Sequence, residues 1–189
     1  AIIFDIPYSK LYLDENGKPK VCKIDTTIAH KVVSEAMILM GYVYSDFLLK
    51  NELPAPFRSQ KINCNASEIL ERNYTSQVKY SILKQFIGKS NISINASSHE
   101  TLGLKSYVQA TSPLRRYLDL VIQRQIYLKL NNKKTISENE IKEIIENNKI
   151  RQINANNIVK ENKLKYLRIF FNNKKESNKL ILIRWINSK

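Results

Sequence analysis

The chain has 189 residues, 43% of them hydrophobic and 25% charged, which is the size and composition of one globular domain with a substantial core. Its 31 basic and 17 acidic residues give a formal charge of +14, unevenly spread: residues 1–60 carry 7 basic and 7 acidic, residues 61–130 carry 10 and 4, and residues 131–189 carry 14 and 6. A polyanion is the natural partner, because clustered Lys and Arg release counterions condensed on phosphates; the competing explanation is a bias of the whole chain toward Lys, Asn and Ile.

The chain starts at Ala1, not at Met, and shows no signal peptide, so a fragment is expected. Ile2–Ile6 and Tyr8–Leu13 read as strands, the second leading to Val21–Ile24 through the turn residues Asp14-Glu15-Asn16-Gly17. Asp25 or Thr26 then caps a helix to about Lys50, with Val32, Val33, Ala36, Met37, Met40, Val43, Tyr44, Phe47 and Leu48 at helical spacing. Its longest apolar run, Ala36 to Leu49, is broken by Ser45 and Asp46 and falls short of a bilayer span, so no membrane is expected. Leu53-Pro54-Ala55-Pro56-Phe57-Arg58 is an extended connector. A second helix is expected over 66–86, ending at Gly88 as a left-handed cap. After the polar stretch 89–98, residues 99–111 are partly extended, and helices follow over 137–147, where Ser137 and Glu140 make a capping box, and over 151–171. Leu180–Ile186 looks like a strand. The expected fold is α+β, an N-terminal β-hairpin region followed by a mainly helical part.

Cys22 and Cys64 are too few and too distant for a disulfide framework, which points to a reducing compartment, the cytoplasm or an organellar stroma or matrix. With His30 and His99 they could ligate zinc, but no pair has ligand spacing, and both cysteines are taken as structural. No repeat and no Gly-rich phosphate loop is present, with only 4 glycines in all.

Several local signals converge on Thr111-Ser112-Pro113-Leu114-Arg115-Arg116-Tyr117-Leu118-Asp119. Ser112 suits an N-cap and Pro113 the first helical position, and the stripe Tyr117, Leu118, Val121, Ile122, Leu128, interrupted by Gln125, can face a core. Two arginines then fall in the first turn, where the helix dipole disfavours cations by roughly 0.3–1 kcal/mol. Asp119 can neutralise one of them. The other, beside free backbone N–H groups, suits a phosphate, although a solvated surface pair fits the same residue types. Glu35 is equally open: a carboxylate on the flank of an apolar stripe meets solvent, or is aimed into a cleft at a ligand hydroxyl.

The run from His99 to Leu120, H-x-x-L-G-L-x-x-Y followed by T-S-P-L-R-R-Y-x-D, closely resembles the signature of the ribonuclease II/ribonuclease R (RNB) family. Ala1-Ile2-Ile3-Phe4 resembles that family's G-A-I-x-F strand, and Val33-Ser34-Glu35-Ala36-Met37-Ile38 its E-x-M helix. The resemblance implies that residues 1–171 are the C-terminal part of an RNB-type catalytic domain, with 172–189 a strand or linker toward an S1 domain. It implies a processive, metal-dependent 3′→5′ exoribonuclease that threads single-stranded RNA through a basic channel and releases nucleoside 5′-monophosphates. Arg115 would hold the scissile phosphate, Phe4 would stack on terminal bases, and Glu35 would contact the terminal ribose, whose 2′-OH marks RNA. Tyr107, Ser112, Arg116 and Arg124 carry over as RNA-binding positions, with Arg116 on the RNA backbone or paired with Asp119.

Two departures stand out. The family's aspartate cluster is missing, since Asp5, Asp14, Asp25, Asp46 and Asp119 are isolated in sequence, and two-metal hydrolysis needs clustered carboxylates. Mg2+ is therefore expected for a complete enzyme but not on this chain alone, whose partner would be the missing N-terminal half of the domain. Gln123 also replaces the histidine that often precedes the arginine matched by Arg124. The alternative is a non-catalytic RNA-binding or scaffold protein that kept the channel wall and lost the metal half.

Overall fold

A computed structural model describes residues 8–63 and 66–173. Phe4, Cys64 and the strands expected over Ile2–Ile6 and Leu180–Ile186 lie outside the described residues. Strands β1 (Tyr8–Leu13) and β2 (Pro19–Ile24) form the expected antiparallel hairpin, with Tyr8 opposite Ile24 and Leu13 opposite Pro19. Asp14 closes the turn: its Oδ1 accepts from the backbone N–H groups of Asn16 at 3.1 Å and Lys18 at 2.9 Å. These bonds, the Lys18 N–H foremost, hold the Asp14 carboxyl below the usual carboxylate range. Gly17 takes φ 71°, where a side chain would be strained.

Helix α1 (Ile28–Lys50) is capped by Thr27, not by Asp25 or Thr26. The choice falls to the residue three positions on: Thr27 Oγ1 accepts from the His30 N–H at 3.4 Å, and His30 Nδ1 accepts from the Thr27 N–H at 3.3 Å. The apolar stripe of α1 is only half used. Gly41, Ser45 and Leu48 are buried and Met40, Tyr44 and Phe47 pack on the core, whereas Ile28, Val32 and Val33 stay 82%, 62% and 58% exposed. Contrary to the run-based expectation, α1 is by length and composition apolar enough to cross a bilayer; averaging over the helix dilutes the polar interruptions that break its runs. Its C-terminal half serves instead as a core helix of this fold.

The connector after α1 enters strand β3 (Phe57–Ser59), which pairs antiparallel with β4 (Asn91–Ser93), Phe57 opposite Ser93. Strand β4 falls within the stretch expected only to be polar. The helix expected over 66–86 is two, α2 (Ala66–Glu71) and α3 (Ser76–Phe86). Gly88 is no left-handed cap: Ile87 ends α3 in an extended conformation, and the Gly88 N–H donates to Lys61 O at 2.9 Å.

Helix α4 (Tyr117–Leu130) starts four residues later than Ser112 and Pro113 suggest, and α5 (Glu138–Asn172) runs unbroken through the gap expected between 147 and 151, where no Gly or Pro stops it. The Ser137–Glu140 capping box is present as expected. Helix α4 lies between two apolar clusters. Ile122 and Ile126 join Leu48, Leu53, Ala55, Phe57, Val108 and Ala110, while Val121 joins Ile141 and Ile145 of α5. Each of the Val, Leu, Ile and Phe side chains among them contributes about 1.5–3 kcal/mol on burial.

The polar break in the α4 stripe pins these layers together. Gln125 is fully buried; its Nε2 donates to Pro54 O at 2.9 Å and Ile136 O at 3.0 Å, and its Oε1 accepts from the Ile136 N–H at 2.8 Å. Gln123 ties the same helix to the preceding segment through Nε2 and Ala110 O at 2.7 Å. Gly41 lets that segment cross α1 closely, since a Cβ there would overlap the Tyr107 ring and Val108 O.

Candidate nucleic-acid interface

Residues Thr111 to Arg116 form a turn and not the first turn of a helix. Ser112 O accepts from the N–H groups of Arg115 and Arg116, at 3.2 and 3.0 Å, and Arg116 becomes the N-cap of α4 in an extended conformation. The carboxylate of Asp119 explains the delay. Its Oδ2 accepts from the Ser112 N–H at 2.9 Å, from Arg116 Nε at 2.8 Å and from Arg116 Nη2 at 2.7 Å, which folds the chain back over the helix start. Arg116 Nη2 also donates to Thr111 Oγ1 at 3.1 Å. The Asp119 side chain is 2% exposed and that of Arg116 23%, so this is a largely buried pair with its hydrogen bonds made, unlike a solvated surface contact.

The neighbouring arginine has the opposite fate. Arg115 is exposed and makes no ion pair among the described residues. It lines a pocket of about 350 Å³ with Arg116, Asp119, Arg58 of β3 and Arg151 of α5. Four guanidinium groups thus share one carboxylate, and that carboxylate is already taken by Arg116. Asn148, Gln152 and Asn156 add amide donors from one face of α5, at the spacing of successive helical turns. The arrangement suits an anion: several cations and amide N–H groups converge, and backbone N–H groups at the start of α4 reinforce them.

Arg58 is held in place by its backbone, whose N–H donates to Tyr107 O at 2.8 Å. Burial foremost pulls the affinity of its guanidinium for the proton below the ordinary arginine value; the carboxylate of Asp119 opposes this and Arg116 reinforces it, yet an arginine stays charged. Its neighbours feel the same field. Burial pushes the Tyr107 phenol up and His99 down, and Arg58 lowers both.

The other positions marked in the sequence are scattered. Ser112 is half-buried within the turn. Tyr107 is 8% exposed, its ring against Gly41 and edge-on to His99 with centroids 5.5 Å apart, so it supports the segment leading to the turn. Arg124 faces α5 elsewhere, in a depression shared with Glu140 and Glu143. Glu35 lies exposed on the N-terminal half of α1 and does not line the Arg115 pocket. Sequence alone does not single out the pocket's Arg58 and Arg151. Arg58 offered only its place next to a Pro-bounded apolar connector, and Arg151 only its register with Asn148, Gln152 and Ala155.

Among the described residues no three or more His, Cys, Asp or Glu side chains come together, and Asp119 is bonded to Arg116, so these residues do not fit a divalent metal.

The RNB domain family model matches residues 1–132. The chain is 26% identical over 189 aligned positions to an uncharacterized ribonuclease of Synechocystis, across 98% of this chain and 28% of that protein. It is 38% identical over 112 positions to the mitochondrial exoribonuclease II of Schizosaccharomyces pombe, across 53% of this chain and 12% of that protein. Its fold matches that of Mycoplasma genitalium RNase R in complex with ribose-methylated single-stranded RNA, with a TM-score of 0.67 at 18% identity, over 88% of this chain and 32% of the other. The chain therefore spans under a third of the length of each of these relatives.

Proposed function

Because the chain belongs to the RNB family, we propose that it forms the phosphate- and 3′-end-holding part of a 3′→5′ exoribonuclease of the ribonuclease II type, an enzyme that hydrolyses single-stranded RNA to nucleoside 5′-monophosphates. The observation that carries this reading is the division of labour between adjacent arginines: Arg116 is locked to Asp119, while Arg115 has no ion pair among the described residues and lines a pocket with further guanidinium groups. The exoribonuclease II relative and the RNA seated in the RNase R structure support RNA as the ligand.

On this reading Arg115 donates its planar fork to the non-bridging oxygens of the scissile phosphate. A preorganised donor of this kind offsets the charge that develops there, an effect commonly worth about 3–4 kcal/mol. Arg116 and Asp119 are positioning residues, since they fix the turn that aims Arg115. Phe4 stacks on a terminal base whatever its identity, and Glu35 accepts a hydrogen bond from the terminal ribose. Mg2+ would supply an activated water in such hydrolysis; the described residues do not fit it, and carboxylates of a separate segment, the N-terminal half of the catalytic domain, would hold it. A reducing compartment, cytoplasmic or organellar, completes the reading; the mitochondrial relative supports it.

The test is to mix the chain with an N-terminal half of an RNB domain and to measure magnesium-dependent release of nucleoside monophosphates from 3′-labelled oligoadenylate. Release that needs both halves and is lost in Arg115→Ala supports the proposal. Salt-sensitive RNA binding with no release by the mixture overturns it in favour of a non-catalytic RNA-binding or scaffold protein.

A further inference from the structure

Helix α5 has two faces of different chemistry. Its first turns are anchored by Ile141 and Ile145, which are buried with Val121 of α4, but every residue of 150–165 is exposed. At about 100° of rotation per residue, the side chains that α5 gives to the Arg115 pocket, among them Asn148, Arg151 and Ala155, share one side. The opposite side carries Ile150, Ile153, Asn157, Lys160, Leu164 and Leu167. Ile150, Ile153 and Leu164 are 62%, 53% and 44% exposed, and Leu167 is half-buried. Large apolar side chains lined up along a solvated stretch of helix mark a contact surface.

The spacing of this stripe points to its partner. The successive steps are three, four, three, four and three residues, the alternation with which two helices pack knobs into holes along an a/d seam. That series is the same read from either end. Laid antiparallel on a second copy of itself, the stripe sets Ile150 against Leu167 of the second copy and Ile153 against Leu164, with Asn157 against Lys160 at the centre. A parallel pair is disfavoured, because it brings Lys160 onto Lys160 and Lys163 beside Arg168, whereas in the antiparallel pair Lys163 lies beside Asn156 and Glu161 beside Asn154. The seam is about 26 Å long. Its polar centre weakens it and fixes its register, as a polar residue at an a position does.

We propose that α5 is a self-association surface, along which two copies of the chain pair antiparallel through residues 150–167 in a two-fold symmetric dimer. Both Arg115 pockets stay open, since they lie on the other side of the helix. The dimer does not depend on what those pockets bind.

The test is sedimentation velocity on the 189-residue chain from low to high micromolar concentration, where the mass should rise from 22.0 kDa toward twice that value. Ile153→Glu/Leu164→Glu sets carboxylates against each other in the seam and should weaken the dimer at least about tenfold. Ile158→Glu, at an apolar position that is 60% exposed but off the stripe, should leave it unchanged. Asn157→Leu/Lys160→Leu removes the polar centre and should tighten the dimer at least about tenfold, a gain that impaired folding cannot produce. These positions are all exposed, so unchanged thermal melting checks that each variant is folded. Orientation is read with a short thiol crosslinker in a Cys22→Ser/Cys64→Ser background: Ile153→Cys chains should couple to Leu164→Cys chains and not to one another. A single-chain mass at every concentration overturns the proposal and leaves the stripe to a different partner. A dimer that Ile153→Glu/Leu164→Glu does not weaken, that Ile158→Glu weakens equally, or that Asn157→Leu/Lys160→Leu does not tighten overturns the seam, and coupling of Ile153→Cys chains to one another overturns its antiparallel register.

Discussion

Arg116 grips a single oxygen of Asp119 with two nitrogens, Nε at 2.8 Å and Nη2 at 2.7 Å, and the same oxygen accepts the Ser112 N–H. Removing either partner strands the other in a largely buried place. We expect Asp119→Ala to lower the unfolding free energy by about 3 kcal/mol, the scale of a broken buried pair, read from the urea midpoint. Asp119→Asn keeps an acceptor for Ser112 and should lose less. Equal stability of Asp119→Ala and the unaltered chain would refute the structural role.

Arg115 makes the complementary case. It is exposed and unpaired among the described residues, so Arg115→Ala should change stability by no more than about 0.5 kcal/mol while it weakens RNA binding by the chain. In the reconstituted enzyme the turnover number should fall about 10²–10³-fold, as for the loss of a preorganised donor, with a smaller change in KM. An unchanged turnover number would sink the assignment.

Gln125 tests whether the buried amide is a pin or a filler. Gln125→Leu keeps most of the volume but leaves the Ile136 N–H and the carbonyls of Pro54 and Ile136 without their partner. The expected loss is about 2–3 kcal/mol, since unpaired buried groups bear their full desolvation penalty. A gain in stability would show that the amide is tolerated and not required.

His99 should make stability depend on pH. Burial, with Arg58 adding to it, lowers its folded-state value from the ordinary 6.5. The folded chain therefore keeps the ring neutral while the unfolded chain takes up a proton. The contribution is complete above about pH 6.5 and is lost as the pH falls from there toward the folded value. The urea midpoint should drop between pH 7.5 and 5.5, and His99→Phe should flatten that drop. An identical pH dependence in the variant would exclude His99 as its source.

The elements that sequence determined are those whose stabilising contacts are local. Asp14 and Gly17 build their turn within five residues, Ser137 and Glu140 cap α5 across one turn, and the signature from His99 to Leu120 identified the family without any contact being known. Local rules failed where a distant partner outbid them. Ser112 and Pro113 have the chemistry of a helix start, but Asp119, seven residues on, captures the Ser112 N–H and moves the start of α4 to Tyr117. The stripe of α1 is periodic throughout, yet only the half that meets Val108 and Ile122 is buried. Sequence could say that one of two arginines would pair with Asp119; the turn geometry made it Arg116 and left Arg115 open. Tertiary structure alone brought Arg58 and Arg151 to Arg115, because a pocket is assembled by core packing between strand and helix, and residue spacing along the chain carries no record of that packing.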